Sequence, residues 1–136
     1  MQVQTYLFFE GRCDEALEFY RKTLGAEVIQ LMRFKQCPEP NAAAGPNAEK
    51  VMHAAFRIGE TTLMASDGRC SGQQPFAGFS LSLAVADVAE AERLFAALGE
   101  GGKVQMPMAK TFFSERFGMV ADRFGVGWMV MVAPKA

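Results

Sequence analysis

One histidine, His53, and three cysteines, Cys13, Cys37 and Cys70, are the obvious nucleophiles and metal donors in this chain of 136 residues. A single imidazole excludes, within one chain, a metal site built on several histidines and any catalytic scheme that needs two. The cysteines are odd in number and form no CxxC pair, so neither a disulfide framework nor a zinc knuckle is expected. Cys13 stands just ahead of a helical pattern, where a helix N-terminus would lower its pKa, but no second histidine is there to act as its base. His53 is the candidate general base or ligand-contacting group. In the FFSER stretch, Phe113 could stack on a flat ligand and Arg116 could hold an anionic group, forming the rim of a site. Arg57 and Asp122 read as structural charges within hairpins, and Asp67 as a turn former.

Charge narrows the partners. The chain carries 14 basic and 15 acidic residues, a net charge of −1. That leaves no excess to neutralise a run of phosphates, so no nucleic-acid partner is expected. Half the residues are hydrophobic and 21% are charged, enough for a packed core. The N-terminal residues lack the basic region and apolar stretch of a signal peptide, and no apolar run nears the roughly 20 residues that span a bilayer. A soluble, cytoplasmic protein with reduced thiols and no membrane partner is the expectation.

The elements that must position these groups repeat. Residues 53–66, HAAFRIGETTLMAS, and residues 119–132, MVADRFGVGWMVMV, align at an offset of 66 that matches Ala55 with Ala121, Arg57 with Arg123 and Gly59 with Gly125. Each copy reads as strand, Gly turn, strand. Upstream of each lies a strand and then a helix. Residues 15–24 carry Ala16, Leu17, Phe19, Tyr20 and Leu24 at helical spacing, with Gly25 as a stop. Asp87 and Glu90 form a capping box ahead of Ala91, Leu94, Phe95 and Leu98. A further short strand follows each helix, at residues 27–34 and 103–108. The chain thus reads as a single domain of two β-α-β-β-β modules, at 2–68 and 78–134, joined by a Gly/Ser/Gln/Pro-rich linker at 68–77. Residues 36–49 carry three prolines and are either a cover over a site or a tolerated insertion, with residues 109–116 in the corresponding place.

Four stretches in order, TYLFFEGRCDEALEFYRKTLGAEV, VMHAAFRIGETTLMASD, GGKVQMPM and RFGMVADRFGVGWMV, resemble the vicinal oxygen chelate superfamily of glyoxalases, bleomycin-resistance proteins and dioxygenases, and within it the PhnB-like branch. The resemblance implies an α+β, glyoxalase-like fold whose two βαβββ modules form curved mixed sheets around a cleft. It also implies four metal-ligand positions in the metal-using members, which fall here on Thr5, Leu63, Ser80 and Met129. None of the four is a good ligand, so no metal and no other cofactor is expected. Strand alternation together with the family's cleft face places Thr5, Leu7, Phe9, Ser80, Ser82, Met129 and Met131 in the cleft, and Leu81, Leu83, Val85, Trp128, Val130 and Val132 beneath a helix. The expected ligand contacts are Thr5, Leu7, Phe9, His53, Leu63, Ser80, Ser82, Phe113, Arg116, Met129 and Met131. Such a pocket of Phe, Met and a few hydroxyls suits a small, partly apolar molecule. The expected function is therefore metal-independent binding by a homodimer. The alternative is a divergent metal-dependent or acid–base enzyme of lyase, isomerase or dioxygenase type.

Overall fold

Helix α1, Cys13–Leu24, forms because its apolar residues recur at helical spacing. It ends at Gly25, whose φ of 68° is the left-handed cap conformation that glycine takes without strain. Its buried face carries Ala16, Leu17, Phe19 and Tyr20. These residues belong to a computed structural model that describes residues 1–39, 45–72 and 76–134. Residues 40–44 of the irregular stretch and 73–75 of the expected linker lie outside the described residues.

The chain divides into two compact units, Met1–Gln74 and Pro75–Ala136. In the first unit, α1 follows β1 (Tyr6–Phe8) and precedes β2 (Glu27–Arg33), β3 (Val51–Ile58) and β4 (Thr61–Ser66). The sheet order is β1-β4-β3-β2, with β1 parallel to β4 and the other pairs antiparallel. The core lies between α1 and one sheet face, where Leu7, Phe9, Ala54, Phe56, Leu63 and Ala65 are all buried. Tyr20 fills its centre, stacked on Phe56 with ring centroids 6.1 Å apart.

In the second unit, β5 (Leu81–Val85) is followed by helix α2 (Val88–Gly99), β6 (Lys103–Ala109), β7 (Phe117–Ala121) and β8 (Gly127–Val132). The order β5-β8-β7-β6 repeats that of the first sheet, again with one parallel pair. Asp87 caps α2 by accepting from the Glu90 N–H at 2.8 Å, as the sequence pattern predicts. Leu94 and Leu98 on α2 are buried, as are Val120, Trp128, Val130 and Val132 of the sheet. Gly118 lets the helix approach, because a Cβ there would meet the Phe95 ring at 2.8 Å. Both modules have the expected β-α-β-β-β order, and the fold is α+β with two open, mixed four-stranded sheets. Among the described residues no helix is long and apolar enough to cross a membrane.

Candidate functional site

Within each unit the sheet packs its helix on one face. The other face of each is the natural place for a ligand. Register decides which side chains stand there, because strand partners share a face. In the first unit Tyr6 is opposite Met64, and Met64 is opposite Ala55. His53 has the same parity as Ala55 and Arg57 along β3, and Met32 and Gln30 of β2 stand opposite His53 and Ala55, so the face away from α1 carries Tyr6, Phe8, Gln30, Met32, His53, Ala55, Arg57 and Met64. In the second unit Ser82, Met129 and Met119 lie in one cross-strand row, and Ala84, Met131 and Phe117 in the next. That face carries four thioethers, because Met106 of β6 stands opposite Met119, and the ring of Phe117.

The first sheet corrects the expected site. Leu7 is 1% exposed, Phe9 0% and Leu63 4%, and all three lie under α1. Thr5 has their parity, and its carbonyl accepts from the Met64 N–H at 2.9 Å. The alternation along β1 is therefore one residue out of step with the expected one. Tyr6 and Phe8 stand on the open face instead. The physical cause is the helix: two large side chains of this short strand must meet the apolar stripe of α1, and the structure sends Leu7 and Phe9 there.

The repeat offset fails for a second reason. In the first unit the β3–β4 hairpin closes with Ile58 opposite Thr61, around Gly59 and Glu60. In the second the β7–β8 hairpin closes with Ala121 opposite Gly127, around residues 122–126. The longer turn shifts β8 relative to β4, so Met129 corresponds to Met64 and not to Leu63. Asp122 holds this turn: Oδ1 accepts from the N–H groups of Phe124 at 2.9 Å and Val126 at 3.1 Å, and Oδ2 from Trp128 Nε1 at 2.9 Å.

His53 is half-buried, and its Nδ1 is 3.0 Å from the Tyr6 hydroxyl. Their ring centroids are 5.6 Å apart, and Tyr6 also packs on Phe8 at 5.0 Å. Sequence reasoning singled out His53 but missed Tyr6, because a tyrosine inside the run Tyr6-Leu7-Phe8-Phe9 looks like one more core aromatic.

The expected rim separates. Phe113 packs edge-on against Phe117 at 5.1 Å, on the open face of the second sheet. Phe112 beside it is 99% exposed. Both border a surface cavity of about 330 Å³ with Thr111, Ser114, Glu115 and Pro134. Arg116 has the opposite parity to Phe117. Its Nε donates to Glu92 on α2 at 3.1 Å, so it stands on the helix side and not beside Phe113 in the expected rim. Arg57 is paired with Glu27 at 2.7 Å.

Asp67 is no simple turn former. It is 0% exposed, and its carboxylate accepts from three backbone N–H groups: Gly11 at 2.9 Å, Cys13 at 2.8 Å and Val51 at 2.7 Å. The N-cap residue of α1, Arg12, makes no side-chain cap bond. Asp67 supplies the cap from the end of β4. The neighbouring Cys13 thiol is the reverse of activated. Burial raises its pKa strongly, and the negative charges of Asp67 and Asp14 add to the rise. Iodoacetamide at pH 8 should leave Cys13 unmodified in the folded protein and label it only after urea unfolding; labelling of native Cys13, read by peptide mass, would contradict this. The same shift sets a pH sense. The thiol stays protonated in the fold, so its contribution is complete below the ordinary thiol value of 9.0 and declines as pH rises above it.

The residues do not fit the metal that the resemblance implies for other members. Leu63 is a buried hydrocarbon, and the open faces offer thioethers, a phenol and hydroxyls with one imidazole already bonded to Tyr6. Among the described residues, no three His, Cys, Asp or Glu side chains converge.

Comparison with known proteins fits this fold. A family model described as 3-demethylubiquinone-9 3-methyltransferase matches residues 1–131. Protein YjdN of Escherichia coli is 36% identical, over 97% of this chain and 95% of its own. The crystal structure of PA1353 from Pseudomonas aeruginosa is 43% identical with a TM-score of 0.85, covering 99% of both chains. A PhnB protein from Bacillus cereus is 28% identical with a TM-score of 0.79, over 98% of this chain and all of its own. The fold alone extends to a glyoxalase/bleomycin resistance protein/dioxygenase family enzyme from Burkholderia phytofirmans, at 12% identity and a TM-score of 0.60, over 96% and 95% of the two chains. With nearly its whole length matched, the chain belongs to the family described as 3-demethylubiquinone-9 3-methyltransferase, in its PhnB-like branch.

Proposed function

We propose that the chain binds a small, partly apolar molecule against the open faces of its sheets, without a catalytic metal. One observation carries the reading: each sheet has a helix on one face and leaves methionine and aromatic side chains on the other. Ser82, Met129, Met131 and Phe113 from the expected set, with Ser80 by parity, belong to such a face, together with Met119 and Phe117. Unbranched thioethers adapt to irregular ligand shapes, and aromatic rings supply flat contact area.

The family's description names a methyltransferase, but the chain's own elements do not support a nucleoside cofactor. Both sheets are mixed rather than doubly wound and parallel. The turn into α1 is filled by the Asp67 carboxylate, and α2 is capped by Asp87. A second reading, an acid–base enzyme, is favoured by one observation, the Tyr6–His53 hydrogen bond on the open face.

The nine methionines provide the test. With ¹³C-methyl methionine, a bound aromatic should shift methyl signals within the open-face set Met32, Met64, Met106, Met119, Met129 and Met131. Shifts confined to other methionines would defeat the reading. We further propose a homodimer, since Val28, Ile29, Val104 and Met106 on the two edge strands β2 and β6 are all exposed. Sedimentation at micromolar concentration should give twice the chain mass of 14.9 kDa, and a monomer would refute it.

A further inference from the structure

On the open face of the first sheet, apart from the exposed Arg57–Glu27 ion pair at its end, Tyr6 is hydrogen-bonded to His53. The chemistry of this Tyr6–His53 pair can be taken further by counting protons. A neutral imidazole carries one N–H and a phenol one O–H. One of these two protons lies in the 3.0 Å contact between the Tyr6 oxygen and His53 Nδ1. If the phenol donates it, Nε2–H is left as a donor and the phenol oxygen keeps a free lone pair. If Nδ1–H donates it, the phenol O–H is free to donate outward and Nε2 becomes an acceptor. In either arrangement the pair offers one donor and one acceptor.

Both groups are reachable. Tyr6 and His53 are each half-buried. Among the described residues His53 makes no hydrogen bond except that to Tyr6, and no buried side-chain nitrogen or oxygen lacks a partner, so Nε2 reaches solvent. Around the pair stand Phe8, in ring contact with Tyr6, Met32 opposite His53, and Met64 and Ala55 in the adjacent row. These are apolar neighbours that would screen a hydrogen bond from water and make it selective.

We propose that Tyr6 and His53 form a recognition site for a ligand bearing a hydrogen-bond acceptor and a donor on neighbouring atoms, on an otherwise apolar body. Primary amides, carboxylic acids in their neutral form and enolisable hydroxycarbonyls have this pattern. The site is indifferent to which ligand atom donates, because the imidazole tautomer can swap to match. A ligand with an apolar body but neither group gains nothing from the pair. This inference rests on the reading of the open faces as the ligand wall and names the chemistry that one of those walls selects.

The test uses the single histidine, whose ring nitrogens give the only imidazole signals in a ¹⁵N-histidine-labelled sample. Two probes share one body shape: benzamide, with donor and acceptor, and ethylbenzene, with neither. Benzamide should shift the His53 nitrogens in step with the Met64 methyl, while ethylbenzene should shift the methyl alone. Tyr6→Phe should weaken benzamide about tenfold, the worth of one or so hydrogen bonds, and leave ethylbenzene binding unchanged. His53→Gln should do the same, and retained ethylbenzene binding certifies that each variant is folded. If benzamide moves the methyls with His53 silent, or binds Tyr6→Phe undiminished, the recognition site is refuted and the apolar wall stands. If neither probe moves any open-face methyl, both readings fall together.

Discussion

Asp67→Ala should lower the unfolding free energy by about 4 kcal/mol, with three backbone N–H groups left without their acceptor. Gly11, Cys13 and Val51 all donate to this one carboxylate, which is fully buried. Each lost bond to a charged group costs more than a neutral one, and a buried amide without a partner adds its desolvation penalty. Cys13 opens α1, Gly11 lies in the turn just before it and Val51 opens β3, so the carboxylate ties the helix start to the sheet. Asp67→Asn should cost less, about 2–3 kcal/mol, because the amide oxygen can still accept while its NH₂ group must face an N–H. A urea titration read by circular dichroism gives both numbers from the midpoint, provided the slope is unchanged. Asp14→Ala is the matched control. Asp14 is ion-paired with Arg33 at 2.9 Å, with half its side chain exposed, and should cost less than about 1 kcal/mol. Equal losses for Asp67→Ala and Asp14→Ala would show that the three backbone bonds carry no special weight.

The same residue shows where local sequence patterns stop being informative. The start of α2 is legible because Asp87 and Glu90 lie three apart, and the cap bond forms between them. The start of α1 is illegible because its cap comes from a residue 54 positions away from Cys13. Faces follow a similar rule. In β5, Leu81-Ser82-Leu83-Ala84-Val85 alternates large and small, so burial can choose only one parity. In the run Tyr6-Leu7-Phe8-Phe9, which contains β1, four consecutive large side chains give both parities similar apolar area, and only packing against α1 decides. A one-residue slip there moves Leu7 and Phe9 from the proposed wall to the core and brings Tyr6 to His53. The hairpin repeat was legible as a repeat, but its offset was not, because turn length changes between copies without changing the strands' composition.

The second large effect is expected at the heart of the first unit. Phe56→Ala should cost about 3–5 kcal/mol, because the residue is fully buried and its removal opens a cavity between sheet and helix. Its ring lies nearly parallel to that of Tyr20, with 11° between the planes, and Tyr20 in turn packs on Phe9 at 6.2 Å. Ala54 and Ala65, opposite each other in the sheet, add little volume, so the rings of Phe56 and Tyr20 must fill the gap under α1. Alanine at 56 would leave Tyr20 without its stacking partner and deprive the helix of its main contact with β3. Phe56→Leu keeps most of the volume and should cost about 1–1.5 kcal/mol. The informative part is what stays the same. His53 stands on the opposite face of β3, three residues away, and its bond to Tyr6 runs along that other face. Below the unfolding transition the His53 ring signals of Phe56→Leu should therefore match those of the parent protein, while the urea midpoint falls. A shift of those signals as large as that produced by Tyr6→Phe would mean that the two faces are coupled through the strand, and that the core under α1 sets the geometry of the proposed wall as well as its stability.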